Sequence, residues 1–242
     1  MKIYSLTSGS KGNATLIECG DFNILIDAGS TKRYLVATLN KINKQLSDID
    51  MVLITHFHRD HCKCLNCFSE NIIYSNRPEH QHLSCNEENN ISGISIKPFE
   101  LSHDEGCFGY QIKYDKETYL HISDTGYLKN EYLPLVQECD YLYLEFNHDA
   151  VMLRETRRPQ QVKKRILSDK GHLNNQAAAY VLANTNGRLK QVIVAHISEE
   201  ANSIPAIKQE IKNVFAEYNK KLTFELKFSG YQQLVIGGSH ED

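Results

Sequence analysis

No stretch of this sequence is apolar over a length that would span a bilayer, and the opening Met1-Lys2-Ile3-Tyr4-Ser5-Leu6 has no apolar core of signal-peptide length. Both absences lead to the expectation of a cytoplasmic protein with no membrane partner. Low-complexity tracts and repeats of fixed period are also missing, which sets aside disordered, fibrous and solenoid architectures. A strong charge of one sign is lacking too: the net charge is −3, so any nucleic-acid role has to rest on local sequence. Nor is there a disulfide framework, because seven cysteines, an odd number, are scattered from Cys19 to Cys139 and fit a reducing compartment. What is present is 242 residues, 41% hydrophobic and 24% charged, enough to bury a sizeable core. A single domain over residues 1–242 is the expectation.

The most informative stretch is Thr55-His56-Phe57-His58-Arg59-Asp60-His61. The run Ile49-Asp50-Met51-Val52-Leu53-Ile54 before it reads as a short buried strand that ends where the histidines begin. Alternation along an extended chain sends His56 and His58 to one side, while Asp60 and His61, on the turn that follows, are aimed separately. Two pairs of ligand-type side chains suggest two metal ions. Mixed imidazole and carboxylate donors suit a hydrolytic site with open positions better than a closed structural one. Cys62, Cys64 and Cys67 follow at once, but no second CxxC pair completes a zinc cluster with them. At helical spacing Cys64 and Cys67 lie near one face, as small hydrophobes would.

Elsewhere, residues 3–7, 14–19 and 23–27 read as a strand meander, and 32–45 as an amphipathic helix carrying Leu35, Leu39 and Ile42. The loop Ser8-Gly9-Ser10-Lys11-Gly12-Asn13 is either an anion-binding nest or a simple hairpin turn. Strands are expected at 72–74 and 94–97 with a polar loop over 87–90, then a hairpin of 107–114 and 118–122, a helix at 133–139 and a strand at 141–145. A helix over 176–182 is capped by Asn174; His172, just before that cap, is placed either to meet an anionic substrate or as a surface histidine. A strand runs into His196, a helix covers 203–218, and strands at 222–228 and 233–236 precede a loose tail from Gly237. Arg154, Arg157, Arg158, Lys163, Lys164 and Arg165 form a local basic patch, suited to phosphate contact or simply a solvated helix face.

With these motifs the chain resembles the metallo-β-lactamase-fold superfamily, whose signature is H-x-H-x-D-H after a buried strand, and within it the YycJ/WalJ-type branch. The branch resemblance rests on Ser8-Gly9-Ser10-Lys11-Gly12-Asn13-Ala14-Thr15, on Glu145-Phe146-Asn147-His148-Asp149, and on the segment from Arg165 to Asn175, where Asn174 replaces the usual Ser. Asp27-Ala28-Gly29, Ser123-Asp124-Thr125-Gly126 and Ala195-His196-Ile197-Ser198 match superfamily elements; Cys64 departs from the usual Gly. The resemblance implies an α/β fold, the αββα metallo-β-lactamase sandwich of two mixed β-sheets flanked by helices. It implies two divalent metal ions, Zn or Mn: one held by His56, His58 and His103, the other by Asp60, His61 and His196, with Asp124 bridging. Asp27 would brace the metal loop without touching metal. Asp60 or Asp124 would orient the attacking water, His172 would donate a proton or hold a phosphate, and Ser8, Ser10, Asn13, Asn147, His148 and His172 would meet substrate. His58 in place of Glu fits the hydrolytic pattern and not the di-iron redox one. The implied activity is phosphodiester hydrolysis, exonuclease-like action on DNA; the alternative is a small-molecule hydrolase such as a cyclic-nucleotide phosphodiesterase or a lactonase.

Overall fold

The computed structural model describes residues 1–229 and 234–237. Strands β1 (Lys2–Thr7), β2 (Ala14–Cys19) and β3 (Phe22–Ile26) form an antiparallel meander. After helix α1 (Lys32–Asn40), strands β4 (Met51–Leu53) and β5 (Ile73–Tyr74) add in parallel to β3, with the short helix α2 (Arg59–Cys62) between them. The second sheet repeats this plan. Strands β6 (Asn89–Ile91), β7 (Ile94–Leu101), β8 (Cys107–Tyr114) and β9 (Glu117–Ile122) are antiparallel, and β10 (Tyr141–Glu145), β11 (Gln191–Ala195) and β12 (Glu225–Phe228) continue in parallel. Helix α3 (Leu133–Glu138) precedes β10; α4 (Ala150–Glu155), α5 (Gln160–Ile166) and α6 (Asn175–Ala183) lie between β10 and β11; α7 (Ile204–Glu217) leads to β12. Finally β13 (Leu234–Gly237) returns to the first sheet beside β1. Two mixed sheets flanked by helices result, the expected αββα sandwich.

Alternation along the strands decides the layers. On β10, Tyr141 and Tyr143 face the other sheet in a cluster with Ile3, Ile24 and Ile96, whereas Leu142 and Leu144 pack with Val214 and Phe215 of α7. Leu35 and Leu39 of α1 cover the outer face of the first sheet. Each fully buried aliphatic side chain contributes about 1.5–3 kcal/mol, so three apolar layers hold the strand ends that carry polar residues. Among the described residues no helix is long and apolar enough to cross a membrane.

Several expectations shift. The helix over 32–45 ends at Asn40: Asn43 takes a left-handed backbone (φ 56°), and Leu46 begins a separate turn of 3₁₀ helix. The polar loop over 87–90 gives up its last two residues to β6, which pairs with β7 across Ser92-Gly93, both at positive φ as a tight two-residue turn requires. β7 runs past 97 to Leu101 through Pro98, which is tolerated because β6 pairs only as far as Ile96 and leaves an edge there. Of the expected strand at 233–236, position 233 lies outside the described residues, as does the tail beyond Gly237.

Gly29 is the close approach on which the strand-end turn depends. A Cβ there would lie 1.5 Å from the Asp60 carbonyl oxygen, so the turn after β3 and the start of α2 are in contact only because no side chain intervenes. Gly29→Ala should destabilise the fold by about 3 kcal/mol or more. For a chain of this size that is a fall in Tm of roughly 6–12 °C, read by thermal melting; an unchanged Tm would show that α2 does not press on the turn.

Candidate functional site

Every strand that carries a candidate ligand delivers it at the same edge of the sandwich. His56 and His58 follow β4, Asp60 and His61 lie in the first turn of α2, His103 follows β7, Asp124 follows β9 and His196 follows β11. Their ligand atoms converge in groups whose members all lie within 4.8 Å of one another: His56, His58 and His103; Asp60, His61 and His196; His56, His61 and Asp124. Asp27, Asp124 and His196 have left-handed backbones, with φ of 61°, 52° and 51°. Such conformations cost of order 1–3 kcal/mol each outside glycine, though Asp, Asn and His tolerate them best. Each sits at the end of a strand, where the turn swings the side chain across the sheet edge.

The rings are oriented from behind by hydrogen bonds. His61 Nδ1 lies 2.7 Å from Asp27 Oδ2, and Asp27 also accepts the Thr55 N–H and hydroxyl, both at 2.8 Å. His103 Nδ1 lies 3.1 Å from the Gly171 carbonyl, and His56 Nδ1 3.0 Å from Thr55 Oγ1. With Nδ1 so engaged, each ring directs Nε2 inward. His58 is reversed: its Nε2 is 3.3 Å from Asp104, and its Nδ1 lies 2.9 Å from His56 Nε2 and 3.3 Å from His103 Nε2. Ring nitrogens facing one another at these distances, each with its other nitrogen occupied, form a donor set that fits divalent metal ions.

Glu145 does for the second sheet what Asp27 does for the first. Fully buried at the end of β10, its Oε1 lies 2.7 Å from Nδ1 of both His172 and His196, and its Oε2 accepts the N–H groups of Leu173 (3.1 Å) and Thr125 (3.2 Å). Burial alone would raise its pKa, but the neighbouring His172 and the hydrogen bonds from His172 and His196 bring it down to about 2. Burial opposes a charge on His196 and His61 as well. Asp124 and Glu145 nonetheless raise His196 to about 10, and Asp124 with Asp27 raises His61 to about 9, while burial raises Asp27 itself above the usual carboxylate range. Asp124, despite burial, is held well below the usual carboxylate range by His196, His61 and His56. Glu145 opens the motif Glu145-Phe146-Asn147-His148-Asp149, yet the linear sequence assigns it no role. Its one signal was a carboxylate ending a strand that is otherwise apolar on both faces.

A cavity of about 240 Å³ opens over this cluster, lined among others by Ser10, His58, Asp60, Asp124, Asn147, Arg158, Arg165, His172 and His196. Of the expected substrate residues, Ser10, Asn147 and His172 reach it. Ser8 instead accepts the His196 N–H at 2.8 Å and pairs with the Tyr143 hydroxyl at 2.9 Å. Asn13 is buried against His61 Nε2 (2.9 Å) and Asp60 Oδ2 (3.3 Å), so it braces the ligand loop. Amides of the loop around it are already taken, Gly9 by Asn13 Oδ1 and Gly12 by the Gly9 carbonyl within the loop and Asn13 by the Asp60 carbonyl outside it, which favours the hairpin-turn reading over the nest. His148 is 1% exposed, is absent from the cavity wall, and has neither ring nitrogen hydrogen-bonded; burial lowers its pKa to about 4 and keeps it neutral.

The basic patch also divides. Arg158 and Arg165 line the cavity, whereas Lys163 is buried and donates to the Arg154 carbonyl at 2.5 Å. Cys64 is buried beside the metal loop as a small apolar side chain, and burial pushes its thiol up to about 12. Replacing Glu145 by Gln keeps the shape but sets an amide donor against two N–H groups, those of the imidazoles or those of the Thr125 and Leu173 backbone. Glu145→Gln should weaken divalent-metal affinity by about 10–100-fold with the fold retained. Competition against a chromophoric chelator measures this, and unchanged affinity would show that Glu145 does not orient the rings.

Comparison with known proteins agrees with this geometry. A family profile described as the Beta-lactamase superfamily domain matches residues 22–197. The chain is 30% identical over 223 residues to exodeoxyribonuclease WalJ of Streptococcus pneumoniae serotype 2, covering 83% of each. It is 28% identical over 233 residues to exodeoxyribonuclease YycJ of Bacillus anthracis, covering 88% of each. Among solved structures, the metallo-beta-lactamase fold protein YhfI from Bacillus subtilis superposes with a TM-score of 0.73 at 17% identity, over 98% of each chain, a likeness of fold alone. With the histidine and aspartate cluster at the sandwich edge and sequence relatives over most of its length, the chain belongs to the metallo-β-lactamase-fold superfamily.

Proposed function

We propose that residues 1–242 act as one domain, a metal-dependent hydrolase that cleaves phosphodiester bonds of DNA from strand ends. The observation that carries this reading is the placement of Arg158 and Arg165 in the cavity lined by four of the seven candidate ligands, His58, Asp60, Asp124 and His196: a phosphate-binding pair of cations beside a metal-type donor set. The similarity to exodeoxyribonucleases WalJ and YycJ supports DNA as substrate. His56, His58 and His103 would hold one divalent ion, Zn or Mn, and Asp60, His61 and His196 a second, with Asp124 shared between them. Bound there, two such ions would supply the chemistry of lowering the pKa of a water toward about 7 and polarising a phosphoryl oxygen.

The chain's own residues do the rest. Asp60 and Asp124 accept hydrogen bonds from the attacking water and orient it toward phosphorus. Arg158 and Arg165 neutralise the phosphates on either side of the scissile bond. His172, held through Nδ1 by Glu145, presents Nε2 as the proton donor to the departing oxygen. Glu145 also keeps His196 in register, so one carboxylate ties the donor to a ligand.

End-labelled single- and double-stranded DNA incubated with metal-reconstituted protein should shorten stepwise. Asp124→Ala should cost about 1,000-fold or more in rate, since it removes both a ligand and the charge that offsets the ions. Intact DNA alongside cleavage of a cyclic nucleotide or a lactone through the same Asp124 would refute the DNA reading.

A further inference from the structure

One excursion of the chain, residues 149–171, forms a wall of the cavity. It leaves the second sheet just after β10 and comes back at His172. Its feet are joined: the Asn147 N–H donates to the Leu173 carbonyl at 3.0 Å and the Asn175 N–H to the His148 carbonyl at 2.9 Å. Helices α4 and α5 stand on it, packed by Leu153, Val162 and Ile166 around Ala201, an apolar cluster separate from the main core. Along and just before α5, Arg158, Val162, Arg165 and Ile166 line the cavity together with His58, Asp60, Asp124, His172 and His196.

The excursion is tied down on both flanks. On one, Arg165 Nη1 pairs with Asp104 at 3.1 Å and Ser102 donates to the Asp169 carbonyl at 2.7 Å. Gly126 presses on the same Asp169 carbonyl so closely that a Cβ would lie 2.2 Å from it. On the other, Arg158 pairs with Glu200 at 3.0 Å and donates to Ser198 Oγ at 3.3 Å, while the Asp149 N–H donates to the Ala201 carbonyl at 2.9 Å. These partners belong to three separate strand-end loops, after β7 and β9 on one flank and after β11 on the other.

A polynucleotide that threaded the site would need an entrance and an exit, and ties on both flanks of a 240 Å³ cavity leave room for a strand that stops there. We infer that the 149–171 excursion, latched by Arg165–Asp104 and Arg158–Glu200, is a bar that admits a strand end to the ligand cluster and excludes a continuous strand. The inference rests on the DNA-hydrolase reading and adds the structural origin of end selectivity. Both latches are solvent-exposed ion pairs and therefore weak, so a phosphate entering the cavity can displace either carboxylate from its guanidinium.

The first test compares a linear single-stranded DNA with a covalently closed circle of the same sequence, and with the linear strand blocked at both termini by biotin–streptavidin, using metal-reconstituted wild-type protein. The linear strand should be degraded, and the circle and the blocked strand should react about 100-fold more slowly or less, the ratio of kcat/KM values measuring the discrimination. A circle cut as fast as the line overturns the bar; failure to cut any DNA overturns the DNA reading on which it rests. Arg158→Ala/Arg165→Ala should raise the circle-to-line ratio several-fold. Glu200→Gln, which cuts one latch without altering the cavity lining, should shift it the same way by less. Limited proteolysis supplies a readout apart from activity: cleavage within 149–171 should quicken in both variants. A cooperative fold with unchanged ratio and unchanged proteolysis would overturn the latch.

Discussion

Two buried carboxylates, Asp27 and Glu145, are the constraint around which the rest of the site is arranged. Removing a carboxylate from water costs several kcal/mol unless donors replace the lost hydration. Asp27 accepts three hydrogen bonds and Glu145 four, and most of the donors belong to the residues that must be aimed: Thr55 and His61 for the first, His172 and His196 for the second. Folding the strand ends and orienting the imidazoles are thus one process. An imidazole that left its place would strand a buried charge.

The same economy extends to the backbone. Left-handed residues at three strand ends store strain, and the contacts that retain it are those that build the site. Gly29 lets the turn after β3 touch α2, Asn13 fastens the first loop to Asp60, and Ser8 fastens it to the backbone of His196. A loop with the composition of an anion nest thereby serves as a clamp between the two sheets, with Ser10 left at the cavity. Lys11, on the same loop, pairs with Glu199 at the surface.

The cations are distributed by a similar logic. A run of basic residues between β10 and α6 is neither a uniform solvated face nor a uniform phosphate surface. The geometry of a short helix sends Lys163 inward to a carbonyl and turns Arg165 toward the ligands, as the chain just before it turns Arg158, each arginine already held by an exposed carboxylate. Such pairs contribute about 0–1 kcal/mol to stability, so their placement matters more for what the cavity admits than for the fold.

Contiguous features were legible in the linear chain. The histidine motif after a buried strand, the short apolar runs of β10 and β11, the Asn174 cap and the helix now seen as α7 depend on residues within a few positions of one another, and local sequence reports them. The strand at Asn89–Ile91 was hidden because asparagines in a polar run signal a loop until a partner strand and a two-residue turn are in place. His103, Asp124 and His196 were marked by resemblance and by their place at strand ends, since a lone polar residue there has many uses. Packing alone revealed Glu145 as the brace, Asn13 and Ser8 as clamps, the burial of His148 and the inward turn of Lys163. Each of these follows from hydrogen bonds or burial contributed by distant parts of the chain, and neither hydropathy nor spacing records which donor will meet which buried acceptor.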